Sequence, residues 1–339
     1  MKKFSIAIVG ATGVVGGMLI ELLEQRRFPV DQLHLLASER SSGQRFSFRG
    51  SYVRVQALED FDFVGIDLAF FTAGSTISAL HVPRATANGA IVVDNTSKYR
   101  LEPTIPLVVP EINAEQTERG IQARIIANPN CSTIQMVVAL KPIYDEVGIK
   151  RINVSTYQSV SGAGTLALEE LAMQTANVLN ARAIEPEVAP VQMAFNVIPQ
   201  IGVFQDNGFS EEEMKMVDET RKIFDDPEIE INPTCVRVPI FFGHSLALHI
   251  ETRRKIQVAD AKCLLSDAPG VELVDSNADG GYPTPVTHAT GQNAVFVGRV
   301  REDLSFANGL NLWVVSDNSR KGAALNSLQI AEELVKHLI

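Results

Sequence analysis

Over the first 130 residues, short apolar runs alternate with stretches of helical periodicity. Residues 4–9 read as a buried strand, and 18–23 continue a helix. Further strands are predicted at 33–37, 67–71 and 90–93, with 107–109 and 125–127 extending the set. Strands alternating with helices imply βαβ units and a parallel sheet. The pattern changes after about residue 150. Strands are predicted at 151–157, 236–240, 246–251, 294–300 and 311–315, with a long helix at 165–179. Runs of strands without intervening helices suggest an antiparallel or mixed sheet covered by helices on one face. Residues 180–205 carry no clear period. Ala324, Leu325, Leu328, Ala331, Leu334 and Leu338 recur near helical spacing, so 323–338 is expected to be a helix that returns to the first domain.

The chain has 339 residues, enough for two domains at ~150 residues each. Its net charge of −10 excludes a basic footprint for nucleic acid or an anionic membrane surface, while leaving room for a local anion site. No apolar run reaches the ~18 residues of a membrane span. Lys2 and Lys3 before an apolar stretch resemble a signal peptide, but Gly10, Gly13, Gly16 and Gly17 interrupt it. A strand, turn and helix in a cytoplasmic protein are expected instead. Cys131, Cys235 and Cys263 form no C-x-x-C pair, so neither a disulfide framework nor a metal site is expected.

The loop Gly10-Ala11-Thr12-Gly13-Val14-Val15-Gly16 follows the first strand and opens the first helix. Its glycines permit a tight turn, close approach of backbone to a pyrophosphate, and close helix–sheet packing. The helix N-terminus offers free N–H groups and a positive dipole end. Gly10, Thr12, Gly13, Val14 and Val15 are therefore candidate cofactor contacts, as is Gly74 at the end of the strand at 67–71. After the second strand, Ser38, Arg40 and Ser41 suit a ribose 2′-phosphate and point to NADP. The intervening Glu39 suits an unphosphorylated ribose, so NAD stays open.

Asn128-Pro129-Asn130-Cys131-Ser132-Thr133 precedes an apolar helical run. Asn130 is a plausible N-cap, which places Cys131 at a helix N-terminus, where a thiolate is favoured. A cysteine beside an apolar helix is, taken alone, more often packing. Following a dinucleotide domain, it suggests attack of a thiolate on an aldehyde, hydride loss to nicotinamide and a thioester.

Together with Ser159-Val160-Ser161-Gly162-Ala163-Gly164, Thr234-Cys235-Val236-Arg237-Val238-Pro239, Gly243-His244-Ser245, Asp317-Asn318 and Lys321-Gly322-Ala323-Ala324, these motifs resemble the aspartate-semialdehyde dehydrogenase family across essentially the whole chain. The resemblance implies an α/β protein with a Rossmann-type dinucleotide-binding domain (1–130). It also implies an α+β catalytic and dimerisation domain of the glyceraldehyde-3-phosphate-dehydrogenase-like kind (131–318) and a returning C-terminal helix (319–339). It implies NADP-dependent interconversion of aspartyl-β-phosphate and aspartate-β-semialdehyde, with inorganic phosphate as co-substrate and a homodimeric assembly. By similarity Cys131 is the nucleophile, Gln158 orients substrate and His244 is the acid/base, with Asn130 beside them. Arg237 grips the substrate carboxylate, Glu212 receives its amine, and Arg100 and Lys215 bind phosphate. Ser161, Gly162 and Asn318 border the nicotinamide. Without the resemblance, Gln158 reads as an ordinary strand residue and 211–215 as a solvated helix face.

The chain departs from the family pattern at Thr96-Ser97-Lys98-Tyr99, at Leu246 and at Ser319, without loss of a catalytic residue type. Two alternatives remain. N-acetyl-glutamyl-phosphate reductase shares the covalent scheme, but usually has glycine before and tyrosine after its cysteine, where this chain has Asn130 and Ser132. A non-catalytic paralogue that binds nucleotide or a protein partner is the other.

Overall fold

The computed structural model describes residues 2–338, which divide into two compact units. The first comprises Met1–Asn130 with Ala323–Ile339, and the second Cys131–Gly322. No helix among the described residues is long and apolar enough to cross a membrane.

The first unit contains β1 (Phe4–Val9), α1 (Val14–Gln25), β2 (Val30–Ala37), β3 (Arg45–Phe48), β4 (Ser51–Ala57), β5 (Leu68–Phe71), α2 (Ser75–Ala87) and β6 (Ile91–Asp94). It continues with the short α3 (Pro110–Asn113), α4 (Thr117–Ala123) and β7 (Ile125–Ala127). The sheet runs in the order β3-β4-β2-β1-β5-β6-β7, parallel except for the edge hairpin of β3 and β4. Alternation along the strands assigns the two faces. Ile6, Ile8, Leu35, Leu68, Phe70, Ile91 and Val93 pack with Leu19, Leu22 and Leu23 of α1. Ala7, Val9, Leu36, Ala69, Phe71 and Val92 pack with Val82 and Ala85 of α2 on the other side. Each fully buried leucine contributes about 1.5–3 kcal/mol relative to exposure. The segment at 107–109 makes only a single bridge, Leu107 to Ala127, and forms no strand.

The second unit contains α5 (Cys131–Val147), β8 (Ile149–Gln158), α6 (Thr165–Leu179), α7 (Glu211–Phe224), β9 (Glu230–Arg237), β10 (His244–Thr252), α8 (Val258–Asp267), β11 (Val271–Leu273), β12 (Val295–Glu302) and β13 (Gly309–Ser316). These strands form a mixed six-stranded sheet in the order β11-β12-β13-β10-β8-β9. Helices α7 and α8 do intervene between its strands, contrary to the sequence pattern. The predicted strand at 236–240 lies instead at Glu230–Arg237, where it pairs in parallel with β8. One sheet face is closed by α5, α7 and α8. It carries Ile152, Val154, Thr156 and Gln158 from β8 and Leu246, Leu248 and Ile250 from β10, all buried. The opposite face carries Tyr157, Ala247, His249 and Trp313, with Tyr157 and Trp313 in ring contact at 5.6 Å.

The last helix, α9 (Leu325–Leu338), belongs to the first unit. Leu325, Leu328, Ala331 and Leu334 join the same core as α1. Arg26, the C-cap of α1, donates to both Glu332 oxygens at 2.7 Å. Asn326 donates to Val108 O and to Asn128 Oδ1, tying the helix to the strand ends.

Candidate active site

In the first unit, the chain leaves β1 at Gly10, whose φ of +89° suits glycine alone. A Cβ at Gly16 would stand 2.2 Å from Gly10 O, so only glycine lets α1 start this close to the strand end. Gly13 is the N-cap of α1 and no side chain caps the helix. The first-turn N–H groups at Val14 and Val15 therefore have no side-chain cap as acceptor. This arrangement fits a dinucleotide pyrophosphate. Thr12 lies on the same loop, and Gly74 is the N-cap of α2, again without a side-chain cap. Ser38 precedes a 3-10 turn at Glu39–Ser41 just after β2, with Arg40 exposed on it.

Beyond β6, Asp94 organises the loop that carries Arg100. Its carboxylate accepts from Ser78 Oγ at 2.8 Å, Thr96 N at 3.1 Å and Thr96 Oγ1 at 2.9 Å. Burial raises the Asp94 pKa, against the opposing effects of these bonds and of Arg100. Arg100 is buried and donates to Asn95 O at 2.8 Å. Asn130 closes the first of this unit's two segments and is buried.

The second unit begins with Cys131 in the first turn of α5, where the positive end of the helix dipole favours a thiolate. Its Sγ lies 3.3 Å from His244 Nε2. His244 is the first residue of β10, which pairs with β8 and β13, and it is 1% exposed. Burial, reinforced by the Arg237 guanidinium, holds its pKa well below the ordinary histidine value, with the Gly243 backbone opposing in part. The ring is therefore neutral around pH 7.

Gln158 ends β8 fully buried. Its Nε2 donates to Ser132 Oγ and, at 3.0 Å, to Glu212 Oε1. Its Oε1 has no protein partner, so the amide carbonyl is available to a ligand donor. Glu212 sits on α7, whose start is fixed by a capping box between Ser210 and Glu213. Glu213 also accepts from Cys235 N at 2.9 Å, which fastens α7 to β9. Lys215 pairs with Glu212 at 3.5 Å. Arg237, at the end of β9, donates through Nη1 to Ser159 O at 2.6 Å. Its own pKa is lowered by burial, with Glu212 and Cys131 opposing.

Asn318 and Ser161 lie in the same polar network. Asn318 Oδ1 accepts from Ser159 Oγ, Ser161 Oγ and Gly243 N at 2.9–3.2 Å. A Cβ at Gly162 would meet Arg237 Nη1 at 3.2 Å and His244 Nε2 at 3.6 Å. The second unit thus assembles Cys131, Gln158, Ser161, Gly162, Glu212, Lys215, Arg237, His244 and Asn318. Gly10, Thr12, Gly13, Val14, Val15, Ser38, Arg40, Ser41, Gly74, Arg100 and Asn130 belong to the first unit.

Three residues that sequence reasoning did not single out belong to this site. Ser132 receives the Gln158 amide, and Ser159 contacts His244. Gly322 packs on the nucleophile, since a Cβ there would stand 2.8 Å from Cys131 Cβ. Gly322→Ala therefore overpacks the thiol. The expected cost is about 1–3 kcal/mol of stability together with a fall in kcat, measured by thermal unfolding and turnover. Unchanged stability and kcat would show that the chain yields there without strain.

A thiol beside an imidazole, and a carboxylate joined to both a buried amide and an ammonium, with a guanidinium on the adjoining strand end, suit covalent acyl transfer on a small zwitterionic substrate. Family models match at residues 5–119 (semialdehyde dehydrogenase, NAD binding domain) and 140–321 (semialdehyde dehydrogenase, dimerisation domain). The Vibrio cholerae protein named aspartate-semialdehyde dehydrogenase 2 is 55% identical over 335 residues, covering 99% of this chain and 98% of its own.

The chain belongs to the aspartate-semialdehyde dehydrogenase family.

Members named aspartate-semialdehyde dehydrogenase from Shewanella violacea and Bacillus subtilis are 53% and 51% identical, each over 99% of this chain and 98% of their own. A solved structure of aspartate semialdehyde dehydrogenase II from Vibrio cholerae, complexed with ASA, superposes with a TM-score of 0.98 at 54% identity, with both chains covered completely. The Rossmann-type domain and the α+β domain expected from sequence are those of this family.

Proposed function

We propose that this protein interconverts aspartyl-β-phosphate and aspartate-β-semialdehyde with NADP, through a thioester on Cys131, on the route to lysine, methionine and threonine. The observation that carries this reading is the 3.3 Å approach of Cys131 Sγ to His244 Nε2 at a helix start, in a chain similar over its full length to aspartate-semialdehyde dehydrogenases.

In the reductive direction, the Cys131 thiolate attacks the acyl-phosphate carbonyl. A carbon–sulfur bond forms, the carbon–oxygen bond to phosphate breaks, and phosphate leaves with the electron pair. Arg100 and Lys215 neutralise that charge, with Asn130 beside the nucleophile. When bound, the nicotinamide nucleotide supplies or accepts the hydride. His244 hydrogen-bonds the oxygen on the reacting carbon, and collapse returns the electron pair to sulfur. Arg237 grips the α-carboxylate bidentately, and Glu212 takes the α-ammonium. Gln158 Oε1 accepts from the bound substrate. The buried Glu212 supports a substrate with a free amine over an N-acylated one.

For the nucleotide, Ser38, Arg40 and Ser41 support NADP. Arg40→Ala should lower NADP affinity by about 1.5–3 kcal/mol, on the order of 10- to 100-fold, and leave NAD affinity nearly unchanged. Equal losses for both nucleotides in a binding titration would remove Arg40 from the 2′-phosphate.

We assign a homodimer formed through the second unit, supported by the match of residues 140–321 to a dimerisation domain. Three cysteines outside any disulfide support a reducing, cytoplasmic location.

The direct test is phosphate-dependent NADP reduction with aspartate-β-semialdehyde, comparing the parent with Cys131→Ala. Turnover in the parent, none in the variant and none without phosphate are expected. A folded parent that binds NADP without turnover would overturn the reading in favour of a non-catalytic paralogue.

A further inference from the structure

Two groups from one residue meet the Nδ1 atom of His244. The backbone N–H of Ser159 donates to it at 3.0 Å, and Ser159 Oγ lies at 3.0 Å from the same atom. A hydroxyl gives or accepts a hydrogen bond, so Oγ alone does not choose a tautomer. A backbone amide only donates. A ring protonated at Nδ1 would set two N–H groups against each other at that distance. The neutral ring therefore leaves Nδ1 bare and carries its proton on Nε2, the nitrogen facing Cys131 Sγ.

We propose that the Ser159 backbone N–H locks His244 in the Nε2–H tautomer, so that the ring meets the nucleophile as a neutral hydrogen-bond donor. Ser159 is then a positioning residue, acting through His244. The proposal rests on the reading of Cys131 as nucleophile and His244 as its partner.

The lock is built into the main chain. Val238 N donates to Gln158 O, Val160 N to Ile240 O and Ser161 N to Phe241 O, so the Ser159 amide is pinned on both sides. The Ser159 hydroxyl has a single proton to give, to Nδ1 or to Asn318 Oδ1 at 2.9 Å, and Asn318 Oδ1 also receives Gly243 N, so the backbone amide alone selects the tautomer. The charged and titratable groups around the ring are Arg237 from β9, Cys131 from α5 and, through Gln158, Glu212 from α7. An imidazolium here would need an acceptor for a second proton at Nδ1, where a donor already stands, and it would face Arg237. A neutral imidazole acting as donor needs neither. Its Nε2–H stabilises the Cys131 thiolate first, and then an oxyanion formed on the carbon that sulfur has attacked.

The test is a nitrogen-15 spectrum of the histidine rings in the full-length protein, with His244 assigned by its loss in His244→Asn. Ring couplings separate the nitrogens, because Hδ2 and Hε1 both couple to Nε2. The expected result is a bare Nδ1 and a protonated Nε2 through the neutral range. An Nδ1–H ring or an imidazolium at pH 7 would overturn the proposal. Two variants sharpen it. Ser159 has φ −65° and ψ 158°, values that proline adopts. Ser159→Pro removes the amide hydrogen, whereas Ser159→Ala removes only the hydroxyl. The alanine variant should keep the Nε2–H signature. The proline variant should lose it, with kcat falling on the order of 10²-fold and KM for the semialdehyde changing only a few-fold. A proline variant that keeps both signature and kcat would also overturn the proposal. If it fails to fold, the parent spectrum still decides. Turnover surviving in Cys131→Ser would instead sink the nucleophile reading, whatever the tautomer.

Discussion

Replacing Cys131 with serine should lower turnover on the order of 10⁴-fold or more, the largest effect expected from any single side chain here. The substitution changes one atom, so packing against Gly322 and the His244 contact are nearly retained. What changes is nucleophilicity. A thiol ionises within reach of neutral pH with help from the helix N-terminus, whereas a serine hydroxyl needs a strong base to remove its proton. His244 is neutral and donates through Nε2, so it offers no such base. Binding of NADP and semialdehyde should persist in the variant, since Arg237, Glu212 and the glycine loop are untouched. Retention of even a tenth of the parent kcat would mean that chemistry does not pass through this sulfur.

The second large effect is expected at Arg237. As the proposed grip on the substrate α-carboxylate, its half-buried guanidinium forms a charge-assisted pair on binding, and truncation leaves that carboxylate without its partner. Arg237→Ala should cost about 2–5 kcal/mol, on the order of 10²–10³ in kcat/KM, mostly as a raised KM. Loss of the donor to Ser159 O adds a smaller fall in kcat. Arg237→Lys should recover only part, because an ammonium is a point charge and not a fork. An unchanged KM in Arg237→Ala would place the carboxylate elsewhere.

The nucleotide-binding fold was legible because its central strands are apolar on both faces and its helices are not. Ile6, Ala7, Ile8 and Val9 form a continuous run because α1 covers one side and α2 the other. The edge hairpin was not legible. Arg45–Phe48 and Ser51–Ala57 are largely exposed, and their polar alternation carries little signal. In the second unit, the apolar stretch at 236–240 drew the strand too late. Pairing with β8 selects Glu230–Arg237, despite Asn232, Pro233 and Thr234 within it. Helix α8 carries little signal in the sequence because only Ala261 and Leu265 are buried along it.

The site divides in the same way. Cys131 and His244 lie 113 residues apart, and residue type with family resemblance placed both among the candidates. The Ser159 contribution is a backbone amide, which any residue but proline supplies, so no sequence pattern announces it. Gly322 is visible in sequence only as a small residue, because its meaning lies in a 2.8 Å clearance from another segment.

The most direct measurement is mass spectrometry of the full-length enzyme mixed with aspartate-β-semialdehyde and NADP in the absence of phosphate. The expected result is a burst of one NADPH per active site and one acyl group on the peptide containing Cys131, discharged when inorganic phosphate is added. A burst with no adduct on Cys131, or steady turnover without phosphate, would contradict a thioester at this residue.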